Sequence, residues 1–391
     1  MKRFALERLK EWKEKPNRKP LIIRGARQVG KTWLMKEFGK TFFEKVAYVN
    51  FDSNTRMQQV FDGEINIERI VLAISAETGI SVNPENTLLI FDEVQEVPKA
   101  LSSLKYFCEN APEYAVVAAG SLLGVALHKG TSFPVGKVDF MDLYPLTFQE
   151  FLCALGEERF VEILRGKDTD MVTMFKSKYI DRLREYYFVG GMPEVVQTYV
   201  DTKDFNQVRE IQKNLLNYYQ QDFSKHAEIS LVPRLNLVWN SIPMQLAKEN
   251  KKYIYGQVRK GARAKDFELA IQWLLDCGLI HKVHRIEKPA LPLKAYMNLD
   301  IFKIYLLDVG LLMAMTGLNA QVIIDGNRIF TEFKGALTEQ YILQQLIAGE
   351  NVEPYYYSAE NSKGEIDFIL QGNTSVIPLE VKAEENLRAK S

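Results

Sequence analysis

Pro20-Leu21-Ile22-Ile23-Arg24-Gly25-Ala26-Arg27-Gln28-Val29-Gly30-Lys31-Thr32 is a short apolar run that breaks into G-x-x-x-x-G-K-T. Gly25 and Gly30 free the backbone to curl around a phosphate, and the N–H groups of Ala26, Arg27, Gln28 and Val29 line the curl. Lys31 reaches the β- and γ-phosphate oxygens, while the Thr32 hydroxyl is suited to ligate Mg²⁺. The context agrees: residues 21–23 read as a buried strand, and residues 32–40 as a helix whose N-terminus carries positive dipole character. A glycine-rich turn without a ligand is the competing reading, and it leaves the strand–loop–helix context unexplained. A nucleoside triphosphate is the expected ligand.

Composition narrows the rest. At 391 residues the chain is too long for one ordinary domain. Apolar content of 47% supports packed cores and argues against global disorder. Fifty basic and 50 acidic residues leave no net charge, so any nucleic-acid contact must come from a local patch. Cys108, Cys153 and Cys277 are odd in number and scattered, which suits buried thiols in a reducing cytoplasm. The longest uncharged stretch, residues 114–127, falls short of the ~20 residues of a membrane span. The amphipathic start lacks the apolar core of a secretory signal.

A second motif completes the first. Residues 86–93, Asn-Thr-Leu-Leu-Ile-Phe-Asp-Glu, read as a buried parallel strand that ends in two carboxylates. Ligands gather at such strand ends. Asp92 is placed to hold Mg²⁺, directly or through water, and Glu93 to orient and polarise an attacking water. Two solvated acids capping the next helix are the alternative, which the upstream phosphate loop disfavours. Residues 46–52, 114–121 and 137–145 supply further strands, so a parallel sheet covered on both faces is predicted. Ser121 ends one of them, where it either senses the γ-phosphate or caps the following helix.

These motifs in this order carry a resemblance. G-A-R-Q-V-G-K-T (25–32), L-L-I-F-D-E-V-Q (88–95), A-A-G-S-L-L-G (118–124) and L-Y-P-L-T-F-Q-E-F-L (143–152) resemble a large family of prokaryotic AAA-type ATP-binding proteins. That family carries a C-terminal domain of unknown function, and Gly190-Gly191-Met192-Pro193-Glu194 matches another of its signatures. The resemblance spans essentially the whole chain and implies ATP with Mg²⁺, a helical lid and ATPase activity. Lys137 stands where the family often has Arg, and Lys lacks the bidentate fork of an arginine finger. No other Arg can be assigned that role, and a finger supplied by a neighbouring copy would require a homo-oligomer, which the sequence leaves open.

Four segments follow: an ATPase domain (1–155), a helical lid or connector (156–247), a winged-helix-like module (248–320) and a nuclease-like α/β domain (321–391). Helical periodicity marks residues 171–188 and 205–223, with Gly190, Gly191 and Pro193 forming either a hinge or a turn forced by packing. Between 248 and 294 eleven Lys and Arg face five acids. There a helix (264–277), a Gly278 stop and a basic strand (279–285) outline a winged helix. Arg259, Lys260, Arg263 and Lys265 are its candidate contacts to duplex DNA phosphates; a solvated face or a protein-binding module is the alternative. At the end, Glu339 on a helix, Asp367 on a strand and Glu380-x-Lys382 on a second strand resemble the PD-(D/E)xK nuclease core. They could gather a metal and a stabilising ammonium. The chain ends nine residues after Lys382, so that domain is read as incomplete or the chain as truncated. Three functions follow: an ATPase coupled to a DNA- or protein-binding module, a nucleotide switch with an inert nuclease-like domain, and an ATP-gated nuclease.

Overall fold

The computed structural model describes residues 1–52, 54–120, 124, 133–248, 251–320, 331–350, 352–359 and 364–383. Its internal contacts divide the chain into two units, Arg3–Tyr144 and Met1–Lys2 with Pro145–Ser391. Among the described residues no helix is long and apolar enough to cross a membrane.

The Arg3–Tyr144 unit runs α1 (Ala5–Glu14), β1 (Leu21–Arg24), α2 (Lys31–Phe42), β2 (Lys45–Asn50), α3 (Thr55–Asp62), α4 (Ile67–Thr78), β3 (Thr87–Asp92), α5 (Pro98–Asn110), β4 (Ala115–Ala119) and β5 (Asp139–Asp142). Its strands lie in the order β2-β3-β4-β1-β5, every pair parallel. Every residue of β3 and β4 is buried, because helices cover both faces of a parallel sheet and no face is left for water. Phe51, Phe61, Phe91 and Phe107 meet edge-on beneath one face, their centroids 5.5 to 6.1 Å apart. The carboxyl ends of β1 and β3 thus sit one strand apart, with β4 between them.

The second unit begins with nine helices among the described residues: α6 (Phe148–Ala154), α7 (Glu158–Arg165), α8 (Thr169–Met174), α9 (Lys176–Val189), α10 (Pro193–Thr202), α11 (Phe205–His226), α12 (Val232–Leu246), α13 (Tyr255–Val258) and α14 (Ala264–Asp276). The single helix expected over 171–188 is broken at Phe175, which leaves helical geometry and turns its ring edge-on to Phe160. Gly190 and Gly191 are held by packing. A Cβ on Gly190 would lie 2.2 Å from the Asp308 carboxylate, and one on Gly191 would lie 2.2 Å from the Leu146 carbonyl oxygen. The buried Asp308 accepts from the amides of Gly191 (2.6 Å) and Leu311 (2.9 Å) and from Gln344 (3.1 Å).

The unit closes with β6 (Ile280–Ile286), β7 (Met297–Leu306), α15 (Val309–Met315), α16 (Thr331–Gln345), β8 (Tyr355–Ser358), β9 (Glu365–Gln371) and β10 (Val376–Leu379). These strands form one mixed sheet, β10-β9-β8-β6-β7. The sequence-based boundary at 320/321 therefore falls between strands of a single sheet. The reason is that β6 pairs with β7 on one edge and, in parallel, with β8 on the other. The last strand is shorter than expected: it ends at Leu379, so Glu380 and Lys382 lie just beyond it.

Candidate functional site

The loop between β1 and α2 is shaped by two glycines. Gly25 has φ 144°, and a Cβ there would come within 2.2 Å of the Leu143 carbonyl oxygen. Gly30, at φ 94°, is the N-cap of α2. Only glycine holds such angles cheaply, so the tight curl is written into these two positions. Buried Arg3 fastens the loop from outside, donating to the Val29 (3.0 Å) and Tyr144 (2.7 Å) carbonyls. Nothing in the local pattern around Arg3 signals this role.

Inside the curl Lys31 donates to the Gly25 (2.8 Å) and Ala26 (2.7 Å) carbonyls. Burial pulls its ammonium down to about 8, opposed by the nearby Glu93 and Asp92 carboxylates. A desolvated cation inside a cradle that a Cβ would fill is what a polyphosphate site requires. The oxygen donors suit magnesium as well. Thr32 Oγ1 donates to Asp92 Oδ2 at 2.7 Å, and the Glu93 amide donates to Asp92 Oδ1 at 3.1 Å. These two side chains, apart in sequence, meet because β1 and β3 end at the same sheet edge.

Glu93 sits at φ 51°, ψ 44°, a left-handed conformation that costs a non-glycine residue about 1 kcal/mol or more. Gln95 Nε2 holds its carboxylate at 2.6 Å. Tyr48 was not singled out by sequence reading, yet its hydroxyl donates to Asp92 Oδ2 at 3.0 Å. Ser121, the γ-phosphate sensor candidate, lies outside the described residues. Lys137, in the arginine-finger position of the resemblance, pairs with Glu109 at 2.8 Å.

Three comparisons bear on this geometry. Residues 17–152 match the AAA domain family. The chain carries an AAA-type P-loop ATPase domain. Two domains of unknown function match downstream of the ATPase domain, DUF8612 over residues 180–322 and DUF4143 over residues 334–391. Among solved structures, a Walker-type ATPase of Pyrococcus abyssi aligns with 81% of this chain and 95% of its own, at 15% identity and TM-score 0.48. The ORC2 protein of Aeropyrum pernix, in its ADP form, aligns over 85% and 93% at 13% identity and TM-score 0.34. The ORC1 protein of the same organism, in complex with DNA, covers 80% and 91% at 12% identity and TM-score 0.28. No curated protein matches the chain. The assignment rests on the family match together with the loop, lysine and carboxylate geometry of the ATPase domain.

In the second unit the sequence-predicted nuclease residues come near one another with different partners from those expected. Glu339 is buried and ion-paired with Lys251, and it accepts from the Tyr305 hydroxyl at 2.9 Å. Buried Lys303 lies 3.8 Å from the same carboxylate and pairs with Glu365. Asp367 accepts from the Val381 amide at 2.8 Å, and burial together with Glu339 pushes its carboxyl up to about 6. Glu380 and Lys382 pair with each other at 2.6 Å, both half-exposed. The positive charge beside Glu339 and Glu365 is supplied by Lys251 and Lys303. Among the described residues no group of three His, Cys, Asp or Glu is arranged to hold a metal.

Arg259, Lys260, Arg263 and Lys265 are all exposed around the turn that leads into α14, and none is ion-paired among the described residues. The outward face of α14 itself carries exposed Glu268, Leu269 and Gln272. The basic charge thus lies at the helix start and not along the helix.

Proposed function

We propose that the ATPase domain binds ATP with Mg²⁺ through residues 25–32 and Asp92, hydrolyses it with Glu93, and passes the nucleotide state to a partner gripped by the C-terminal unit. The observation that carries this reading is the buried Lys31 ammonium beside the Thr32–Asp92 contact. In the complex Lys31 exchanges two carbonyl oxygens for β- and γ-phosphate oxygens, a stronger charge-assisted interaction. Thr32 and Asp92 hold the metal, which neutralises charge on the phosphates. Glu93 orients a water in line with the γ-phosphorus and draws off its proton. A polar sensor at Ser121 and an arginine from a second copy complete the reading. ATP and three free cysteines fit a cytoplasmic setting.

Lys31→Ala is expected to weaken ATP binding by about 100-fold or more, read by calorimetry with magnesium present. Equal affinity in the variant and the parent protein would remove the loop from the binding site. For the partner, Arg259, Lys260, Arg263 and Lys265 support duplex DNA held by its phosphates. With all four engaged, log K against log salt is expected to fall with a slope of about −3 to −4. A flat line selects a protein partner instead.

A second reading is a nucleotide switch whose nuclease-like residues Glu339, Asp367, Glu380 and Lys382 cut nothing. The lysines seated on Glu339 favour it over the ATP-gated nuclease, since an ammonium already neutralises one of the acids a metal would need.

A further inference from the structure

Asp92 accepts three hydrogen bonds, and they come from three different elements. The Glu93 amide follows it in the chain, Thr32 opens α2, and Tyr48 lies on β2. Tyr48 is register partner to Ile90, and Asn50 is partner to Asp92 itself. A tyrosine two residues short of the carboxylate, on the neighbouring strand, leans along the strand far enough for its hydroxyl to arrive. Tyr48 also touches α2, because the Lys36 ammonium sits 3.9 Å from its ring centroid. Thr32 and Lys36 share one face of α2 at i and i+4, so that face grips the Asp92 carboxylate and the Tyr48 ring side by side.

The phenol is a committed donor. Its partner is a carboxylate oxygen, which accepts hydrogen bonds and donates none. It is also the one of the three donors whose removal disturbs neither the main chain nor the phosphate loop.

We propose that Tyr48 is a positioning residue for magnesium: its hydroxyl holds the Asp92 carboxylate against Thr32 and so sets affinity for the metal–nucleotide pair, not for nucleotide alone. This rests on the reading of Thr32 and Asp92 as the magnesium ligands. Groups that orient a metal ligand from behind act on metal affinity while leaving the cradle intact.

The test uses the full chain and Tyr48→Phe, which keeps the ring and its contact with Lys36 and deletes the hydroxyl. A fluorescent ADP analogue is titrated first in EDTA, then at fixed nucleotide with increasing Mg²⁺ or Mn²⁺. The expected result is analogue binding in EDTA within about twofold of wild type, with the metal concentration at half-saturation raised roughly tenfold. Lys36→Met, which keeps the hydroxyl, is expected to shift that concentration less. An unchanged half-saturation in Tyr48→Phe, beside a metal-dependent wild type, overturns the role of Tyr48 and leaves the nucleotide site standing. Equal losses with and without metal overturn it too, by exposing a general structural effect. A wild type that binds nucleotide with no metal dependence fails one step earlier, at the assignment of Thr32 and Asp92.

Discussion

Glu93→Gln is expected to lower kcat for ATP hydrolysis by about 10²–10⁴-fold while leaving ATP affinity within about twofold of wild type. The substitution keeps the shape of the side chain and removes the group that accepts a proton from water. In the proposed function Glu93 takes this task at some conformational cost, since its left-handed backbone turns the chain sharply after β3. Gln95 donates to Oε2 of the carboxylate, and the Glu93 amide donates to Asp92, so side chain and main chain are both held in place. Phosphate release under saturating ATP, alongside calorimetry on the same preparation, separates the two effects. Undiminished turnover would strip Glu93 of its catalytic role and leave Asp92 and Thr32 as binders only.

Lys303→Met is expected to destabilise the C-terminal unit by about 3–5 kcal/mol. The Lys303 side chain is 1% exposed and stands between Glu339 and Glu365. Removing its charge leaves carboxylates in a low-dielectric site with Lys251 as the remaining nearby cation for Glu339. Asp367 adds a pH signature. Its carboxyl is raised to about 6 in the fold, above its unfolded value, so its contribution favours folding at low pH and is lost as the pH rises through about 6. Lys303 is one of the groups holding that carboxyl down, so the variant's defect is expected to be smaller at pH 5 than at pH 8. Denaturant titrations at the two pH values measure this, and adding Glu339→Gln is expected to restore part of the loss. A change below about 1 kcal/mol at pH 8 would mean that the ion cluster contributes little to the fold.

The local signals of the ATPase domain are legible in the sequence because each is a short-range device. Glycines at 25 and 30 answer to backbone angles, the apolar runs at 88–91 and 115–119 answer to a sheet covered on both faces, and Lys31-Thr32 must follow the turn it serves. The break at Phe175 was not legible, because an unbroken helical period continues through it and only the meeting with Phe160 decides the bend. The strand expected over 376–382 stops early for a related reason: Glu380, Val381 and Lys382 keep the alternation, but the ladder with β9 ends at Leu379.

Side chains that act across the fold left even less trace. Arg3 is an ordinary basic residue near the chain start until the loop carbonyls of Val29 and Tyr144 reach it. Lys303 is a charged residue within the buried end of β7, where it is paired against two acids. From the order of its residues alone, this chain determines a phosphate cradle, a carboxylate pair at a strand end and a run of helices, since these depend on neighbours within a few positions. The tertiary structure alone decides that Tyr48 serves Asp92, that lysines neutralise Glu339, and that strands on both sides of residue 320 share a sheet. Contacts between distant positions arise only when packing brings those positions within hydrogen-bond reach.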